Sequence, residues 1–220
     1  MTPRIHPLAN LIAAGARLVS GVQIRRAACP PVAGQRIYFA NHTSHLDFVI
    51  LWSALSAEDR ARTRPVAAQD YWSSGLRAWF AQRVFRSVLI RRARPAPDPS
   101  HPDPSHDPVA EARQLIEHLA ESLGDTDSLI FFPEGTRGTG EDVAPFRSGL
   151  YHLAQRRPDV ELLPVYLENL SRILPKGEFL PVPLLCTLTF GAPMQIKEDE
   201  SKEAFLDRAR AAVCALRRKG

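Results

Sequence analysis

The chain has 220 residues, of which 45% are hydrophobic and 24% charged. That is globular composition, and it excludes disordered, collagen-like and disulfide-framework proteins. A chain of this length buries roughly 70% of its unfolded surface, so it needs no disulfide or metal staple. The net charge of +4 is unevenly placed: from Arg60 to Arg94, nine arginines stand against one acid, Asp70. Such a local field attracts anions, whether phosphate groups, acidic lipid or nucleic acid. Cys29, Cys186 and Cys214 lack zinc-site spacing and read as reduced thiols.

In chain order, residues 5–22 carry Leu8, Leu11, Ile12, Val19 and Val22 at helical spacing, with Arg4, Arg17, Arg25 and Arg26 flanking or interrupting that face. Two readings stand open: a helix packed on the domain, or an amphipathic segment in a membrane surface. The stretch Leu8–Gln23 is broken by Arg17, lacks a cleavage site and falls short of the ~20 apolar residues of a spanning helix. Neither a secretory signal nor a membrane span is expected from it. Arg36–Ala40 predicts a strand running into Asn41-His42-Thr43-Ser44, a helix-start signal. Phe48–Leu55 predicts a buried helix, Arg64–Ala68 a short strand, Trp72–Phe85 a helix and Ser87–Ile90 a strand.

Arg94–Pro108 breaks the pattern. It contains a tandem repeat, Asp98-Pro99-Ser100-His101-Pro102 followed by Asp103-Pro104-Ser105-His106-Asp107. Its prolines and low complexity predict a flexible loop over 94–108, and nothing in it orders the histidines and aspartates into a metal site. Pro108–Leu123 then predicts a strong amphipathic helix and Ser128–Phe132 a buried strand. Pro133–Gly140 reads as a glycine-rich loop and Ser148–Gln155 as a short helix. Glu161–Leu167 and Pro183–Phe190 read as strands, and Lys202–Arg217 as the closing helix. The alternation predicts an α/β fold. The expectation is a single layered domain with a central mostly parallel or mixed sheet flanked by helices, plus an N-terminal amphipathic helix.

Two segments carry chemistry: Asn41-His42-Thr43-Ser44-His45-Leu46-Asp47 and Phe132-Pro133-Glu134-Gly135-Thr136-Arg137-Gly138. Both follow predicted strands, and ligands of open α/β sheets bind at strand C-terminal ends. Histidine titrates near ~6.5 and offers a neutral base, and a carboxylate on its far nitrogen fixes the tautomer. Five helical residues would turn His42 and Asp47 ~140° apart, so they meet only if His42 precedes the helix and Asp47 lies in its first turn. A second reading makes Ser44-x-x-Asp47 a capping arrangement and His42 an ordinary loop histidine. His45 competes as the base, and His42, His45 and Asp47 could hold a metal. In the second segment, glycines admit close backbone approach to an anion and Arg137 offers a planar fork to phosphate. The alternative is a surface turn with a solvated arginine. G-x-G-x-x-G, the P-loop lysine and G-x-S-x-G patterns are all absent, which disfavours nucleotide binding and a hydrolase serine.

The asparagine–histidine–x4–aspartate block and the F-P-E-G-T-R block, in this order, resemble the glycerolipid acyltransferase family, and within it the 1-acylglycerol-3-phosphate acyltransferases. Val88-Leu89-Ile90-Arg91-Arg92 resembles the family's strand ending in arginine, with Arg92 as the equivalent residue. Leu163-Pro164-Val165-Tyr166 resembles its late proline-containing strand, and Pro145-Phe146-Arg147-Ser148-Gly149 its basic F-x-x-G stretch. The similarity runs from about Gly21 to Gly191. It implies acyl transfer from acyl-CoA or acyl carrier protein, as co-substrate, to the free hydroxyl of 1-acylglycerol 3-phosphate, giving phosphatidate. It implies His42 as base and Asp47 as its orienting partner. Glu134, Gly135 and Thr136 would shape the acceptor site, with Arg137 and Arg92 on the phosphate. No cofactor or metal is expected, because a thioester is already activated.

Alternatives are the same chemistry on glycerol 3-phosphate, another lysophospholipid or an acyl amino acid lipid, or an inactive lipid-binding relative. Residues 1–22 are then a candidate membrane-contacting helix and 23–220 the acyltransferase domain. The basic aromatic stretch with Trp72, Arg77, Trp79, Phe80, Arg83 and Arg86 is the candidate contact with an anionic membrane surface. The expected location is peripheral, on the cytoplasmic face. The partners are lysophospholipid, acyl thioester and acyl carrier protein, with no nucleic acid. Departures from the family pattern are the missing spanning helix, Arg91 where an acid is common, and the repeat after Arg92.

Overall fold

Residue alternation in the strands builds two cores, one on each face of a central sheet. The computed structural model describes residues 7–27, 34–44, 46–91, 107–138, 140, 142–169 and 186–217. Among the described residues the seven strands are β1 (Gln23–Arg26), β2 (Arg36–Ala40), β3 (Thr63–Ala68), β4 (Val88–Ile90), β5 (Ser128–Phe131), β6 (Glu161–Glu168) and β7 (Thr187–Phe190). The first five helices are α1 (Pro7–Ser20), α2 (Asp47–Ala54), α3 (Ala57–Arg62), α4 (Gln69–Trp72) and α5 (Gly75–Arg83). Then follow α6 (Pro108–Leu123), α7 (Gly149–Arg156) and α8 (Lys202–Cys214).

The strand order is β1-β7-β6-β2-β5-β3-β4. From β6 to β4 every pairing is parallel, β7 runs antiparallel to β6, and β1 is parallel to β7. The sheet is thus the mostly parallel mixed sheet that the alternating elements predict. Tyr38, Ala40, Ile130, Leu163, Val165 and Leu188 point to the face covered by α1 and α2. Ile37, Phe39, Leu129, Leu162 and Tyr166 point to the opposite face, against α6, α7 and α8. Period-two alternation explains this division along each strand. The parallel pairing of β2 with β5, Ile37 opposite Leu129 and Phe39 opposite Phe131, sets their C-terminal ends side by side.

Several elements differ from expectation. Trp72–Phe85 is not one helix: α4 ends at Trp72, and Ser73-Ser74 separate it from α5, which opens on Gly75 at φ +58°. The apolar spacing continues across that break and conceals it. β1 and α3 were not expected. All four residues of β1 are exposed, and its strand state follows from pairing with β7. The end of the chain from Pro183 is strand only over Thr187–Phe190 among the described residues, and the 98–107 repeat lies outside them except for Asp107. Asp107 caps α6, its carboxylate accepting from the Val109 and Ala110 amides, with Pro108 opening the helix.

α1 packs on α2 through small residues, with Ala9 and Ala13 buried, while Leu11 and Leu18 stand 70% and 85% exposed. Arg17 ties the two helices together, its guanidinium donating to Ser53 O and Leu55 O at the C-terminal end of α2. Arg60 reinforces the same end: it donates to Leu55 O and to Asn10 Oδ1 and stacks over Trp52. Both cations sit where the helix dipole favours them. No helix among the described residues is long and apolar enough to cross a membrane.

Candidate active site

β2 is buried along its whole length and delivers the chain to the C-terminal edge of the sheet. Asn41, the next residue, seals that edge. Its amide donates to Leu167 O (2.9 Å) and its carbonyl accepts from the Leu167 amide (2.8 Å), stitching the end of β2 to β6. Residues 42–44 then run as a loop, and α2 begins at Asp47. This is the one arrangement in which the five-residue spacing lets His42 and Asp47 meet.

Asp47 is completely buried. Its Oδ2 lies 2.8 Å from His42 Nδ1 and accepts from the Thr43 amide (2.5 Å) and the Ser44 amide (2.8 Å). The two readings of the sequence therefore coincide. Asp47 satisfies the amides that precede its helix and orients the imidazole with the same oxygen. Its other oxygen, Oδ1, and the nearby Thr43 Oγ1 are buried without a hydrogen-bond partner among the described residues. Facing an ionised carboxylate, which only accepts, Nδ1 would carry the ring proton and Nε2 the lone pair. The His42 side chain is 21% exposed, neither sealed in nor free in solvent. Phe132 stacks on it, with ring centroids 4.3 Å apart and planes inclined by 22°.

The loop after β5 grips His42 from the other side. The His42 amide donates to Glu134 Oε1 (2.7 Å), and the His42 carbonyl accepts from the Gly138 amide (2.8 Å). Glu134 Oε2 accepts from the Ala144 amide (3.0 Å). Burial pushes the Glu134 carboxyl above the usual carboxylate range, and the two amide hydrogen bonds oppose that shift. Glu134 is thus a buried bridge between two backbone segments. The Gly135 amide closes the turn on Phe132 O (3.1 Å), so it is not free for a reaction oxyanion. Gly135 itself lies at φ +72°, which glycine adopts without strain.

Thr136 and Arg137 lie exposed on this loop. Arg92 and His45 fall outside the described residues. His42, Asp47 and Glu134 are brought together as one hydrogen-bonded unit, with Gly135, Thr136 and Arg137 on the loop that carries Glu134. Sequence reasoning did not assign the roles of Phe132, Gly138 and the Ala144 amide. Phe132 and Gly138 flank the E-G-T-R block and were quoted with it, but their contacts depend on how β2 and β5 pair. Among the described residues, no group of three or more His, Cys, Asp or Glu is placed to hold a metal ion.

A histidine with one nitrogen held by a buried carboxylate is equipped for proton transfer, and His42 stands at the C-terminal edge of a mostly parallel sheet covered on both faces. The chain belongs to the acyltransferase family, whose sequence model matches residues 19–168. Among curated relatives, it is 27% identical over 161 residues to human 1-acyl-sn-glycerol-3-phosphate acyltransferase alpha, covering 71% of this chain and 49% of that one. It is 26% identical over 156 residues to the 1-acyl-sn-glycerol-3-phosphate acyltransferase of Salmonella typhimurium, covering 68% and 54% respectively. The chain thus spans about half the length of the curated relatives it matches. Its fold is shared with the crystal structure of the 1-acyl-sn-glycerophosphate (LPA) acyltransferase PlsC from Thermotoga maritima. That match has a TM-score of 0.68 at 19% identity and covers 95% of this chain and 77% of that one.

Proposed function

We propose that this protein transfers an acyl group from an acyl thioester to the free hydroxyl of 1-acylglycerol 3-phosphate, yielding phosphatidate. The observation that carries the reading is the 2.8 Å contact between His42 Nδ1 and Asp47 Oδ2, in a loop locked to the E-G-T-R segment through Glu134 and Gly138. The names of the curated relatives supply the acceptor. His42 Nε2 takes the hydroxyl proton as the oxygen attacks the thioester carbonyl. Asp47 stabilises the charge the ring acquires. When the tetrahedral intermediate collapses, the C–S bond breaks and the imidazolium returns its proton to the leaving thiolate. The ester and a free thiol are the products, and no cofactor enters the balance. General-base assistance of this kind contributes ~10²–10⁴-fold.

By the same resemblance, Arg137 and Arg92 hold the acceptor phosphate. The donor is acyl-CoA or acyl carrier protein. The acceptor comes from a bilayer, and we place the protein peripherally on an anionic membrane surface. Two exposed apolar sets support that placement: Leu11, Leu18 and Val19 on α1, and Leu76 and Trp79 on α5, near exposed Arg83. The rest of the basic aromatic stretch has other work. Trp72 packs edge-on against Phe48 and Phe85, Phe80 packs against the core, and Arg86 pairs with Asp127. Mass spectrometry of products from a panel of donors and acceptors tests the proposal. Phosphatidate formed only when lysophosphatidate and a thioester are both present is the expected result. Turnover of another acceptor in preference would replace the substrate, and no ester product with any pair would overturn the activity.

A further inference from the structure

A side chain outside both motif blocks covers the E-G-T-R turn. A Cβ placed on Gly135 would lie 2.8 Å from Arg147 Nε, 2.9 Å from its Cδ and 3.4 Å from its Cζ. The arginine is therefore laid flat on the bare Cα of the glycine. Its main chain is pinned to the same turn, the Arg147 amide donating to Pro133 O (2.8 Å). Arg147 is nevertheless exposed, and no carboxylate pairs with it among the described residues. The described acids around the turn, Glu134 and Asp142, are otherwise engaged. Both Glu134 oxygens accept from amides, and Asp142 faces Arg217 at 3.7 Å.

An exposed guanidinium whose main chain is pinned to this turn and which has no carboxylate partner among the described residues is placed to receive an anion, and its planar fork suits phosphate oxygens. We infer that Arg147 is a further ligand for the acceptor's phosphate, in addition to Arg137 and Arg92. This rests on the phosphate-bearing acceptor proposed above.

The test is direct binding, without acyl donor, of a short-chain lysophosphatidate below its micelle concentration and of the uncharged monoacylglycerol with the same chain. Arg147→Met is expected to weaken lysophosphatidate binding by about tenfold or more, the usual worth of a charge-assisted hydrogen bond, and to leave monoacylglycerol unchanged. Arg147→Lys is expected to recover part of the loss. Wild-type discrimination retained in Arg147→Met would overturn the inference. So would equal weakening of both ligands, or a wild-type protein that does not discriminate between them. Thiol release in the same preparations separates the two proposals. A wild-type protein that binds lysophosphatidate through Arg147 but never turns over refutes the acyl transfer and leaves the clamp standing.

Discussion

Replacing Glu134 by Gln asks whether this buried carboxylate positions the base or grips the acceptor. In the structure it accepts from two amides, His42 at 2.7 Å and Ala144 at 3.0 Å, and it is 4% exposed. Glutamine offers one carbonyl and one NH2 group, so one of the two amides must face a donor. An unsatisfied buried N–H costs about 1–3 kcal/mol. Removal of a buried charge offsets part of this, because burial already disfavours the ionised form of Glu134. A net loss of about 1–2 kcal/mol lowers the melting temperature of a domain this size by roughly 2–8 °C. Activity should fall further than stability. Displacing the His42 main chain by ~1 Å costs on the order of 10²-fold in turnover. Thermal melts and steady-state thiol release read the two quantities. A fall in kcat with KM nearly constant is the expected result for a positioning residue. A rise in KM with kcat intact would refute the reasoning and place Glu134 on the acceptor.

Glu134 also carries a pH signature. Its folded-state pKa is raised, so its stability contribution is full below the ordinary value of 4.5 and is lost as pH rises through the shifted one. The stability of wild type relative to Glu134→Gln, from melts across that window, should therefore decline with rising pH; a rise would contradict the direction. Asp47→Asn should cut kcat by about 10²–10⁴-fold, because an amide facing Nδ1 favours the tautomer with its proton on Nε2. Steady-state kinetics check this, and a loss below tenfold would show that orientation of the ring is unimportant. Leu76→Asp with Trp79→Ala should weaken partition onto anionic vesicles by about tenfold or more, given ~1.5–3 kcal/mol per large apolar side chain buried. Turnover of monomeric acceptor should be untouched, and unchanged co-sedimentation with vesicles would remove α5 from the membrane contact.

Much of this architecture is legible because local pattern and tertiary role agree. Arg36–Ala40 is an uninterrupted strand former that ends up buried throughout, and Pro108 with Asp107 marks the start of α6. α3 was within reach: Ser56 and Asp59 form a capping pair, with the Asp59 amide on Ser56 Oγ. β1 was not, since Gln-Ile-Arg-Arg has no strand signature apart from its partner β7. The histidine–aspartate geometry follows from spacing alone once the helix start is placed. What spacing cannot say is where Glu134 points. Its two amides belong to residues 92 positions before it and 10 after it, and only the β2–β5 pairing brings the first into range. The exposure of the basic aromatic stretch is hard to read from sequence for a related reason. Helical periodicity names Trp72 and Phe80 as readily as Leu76 and Trp79, but Trp72 packs on Phe48 and Phe85 and Phe80 against the same core, leaving both half-buried.

The most direct measurement of the central claim is thiol release from acyl-CoA in the presence of lysophosphatidate by the wild-type protein and by His42→Ala at matched melting temperature. The account predicts that wild type turns over only with acceptor present, and that His42→Ala loses at least ~10²-fold in kcat. Turnover in His42→Ala equal to that of wild type would contradict the assignment of this imidazole as the base.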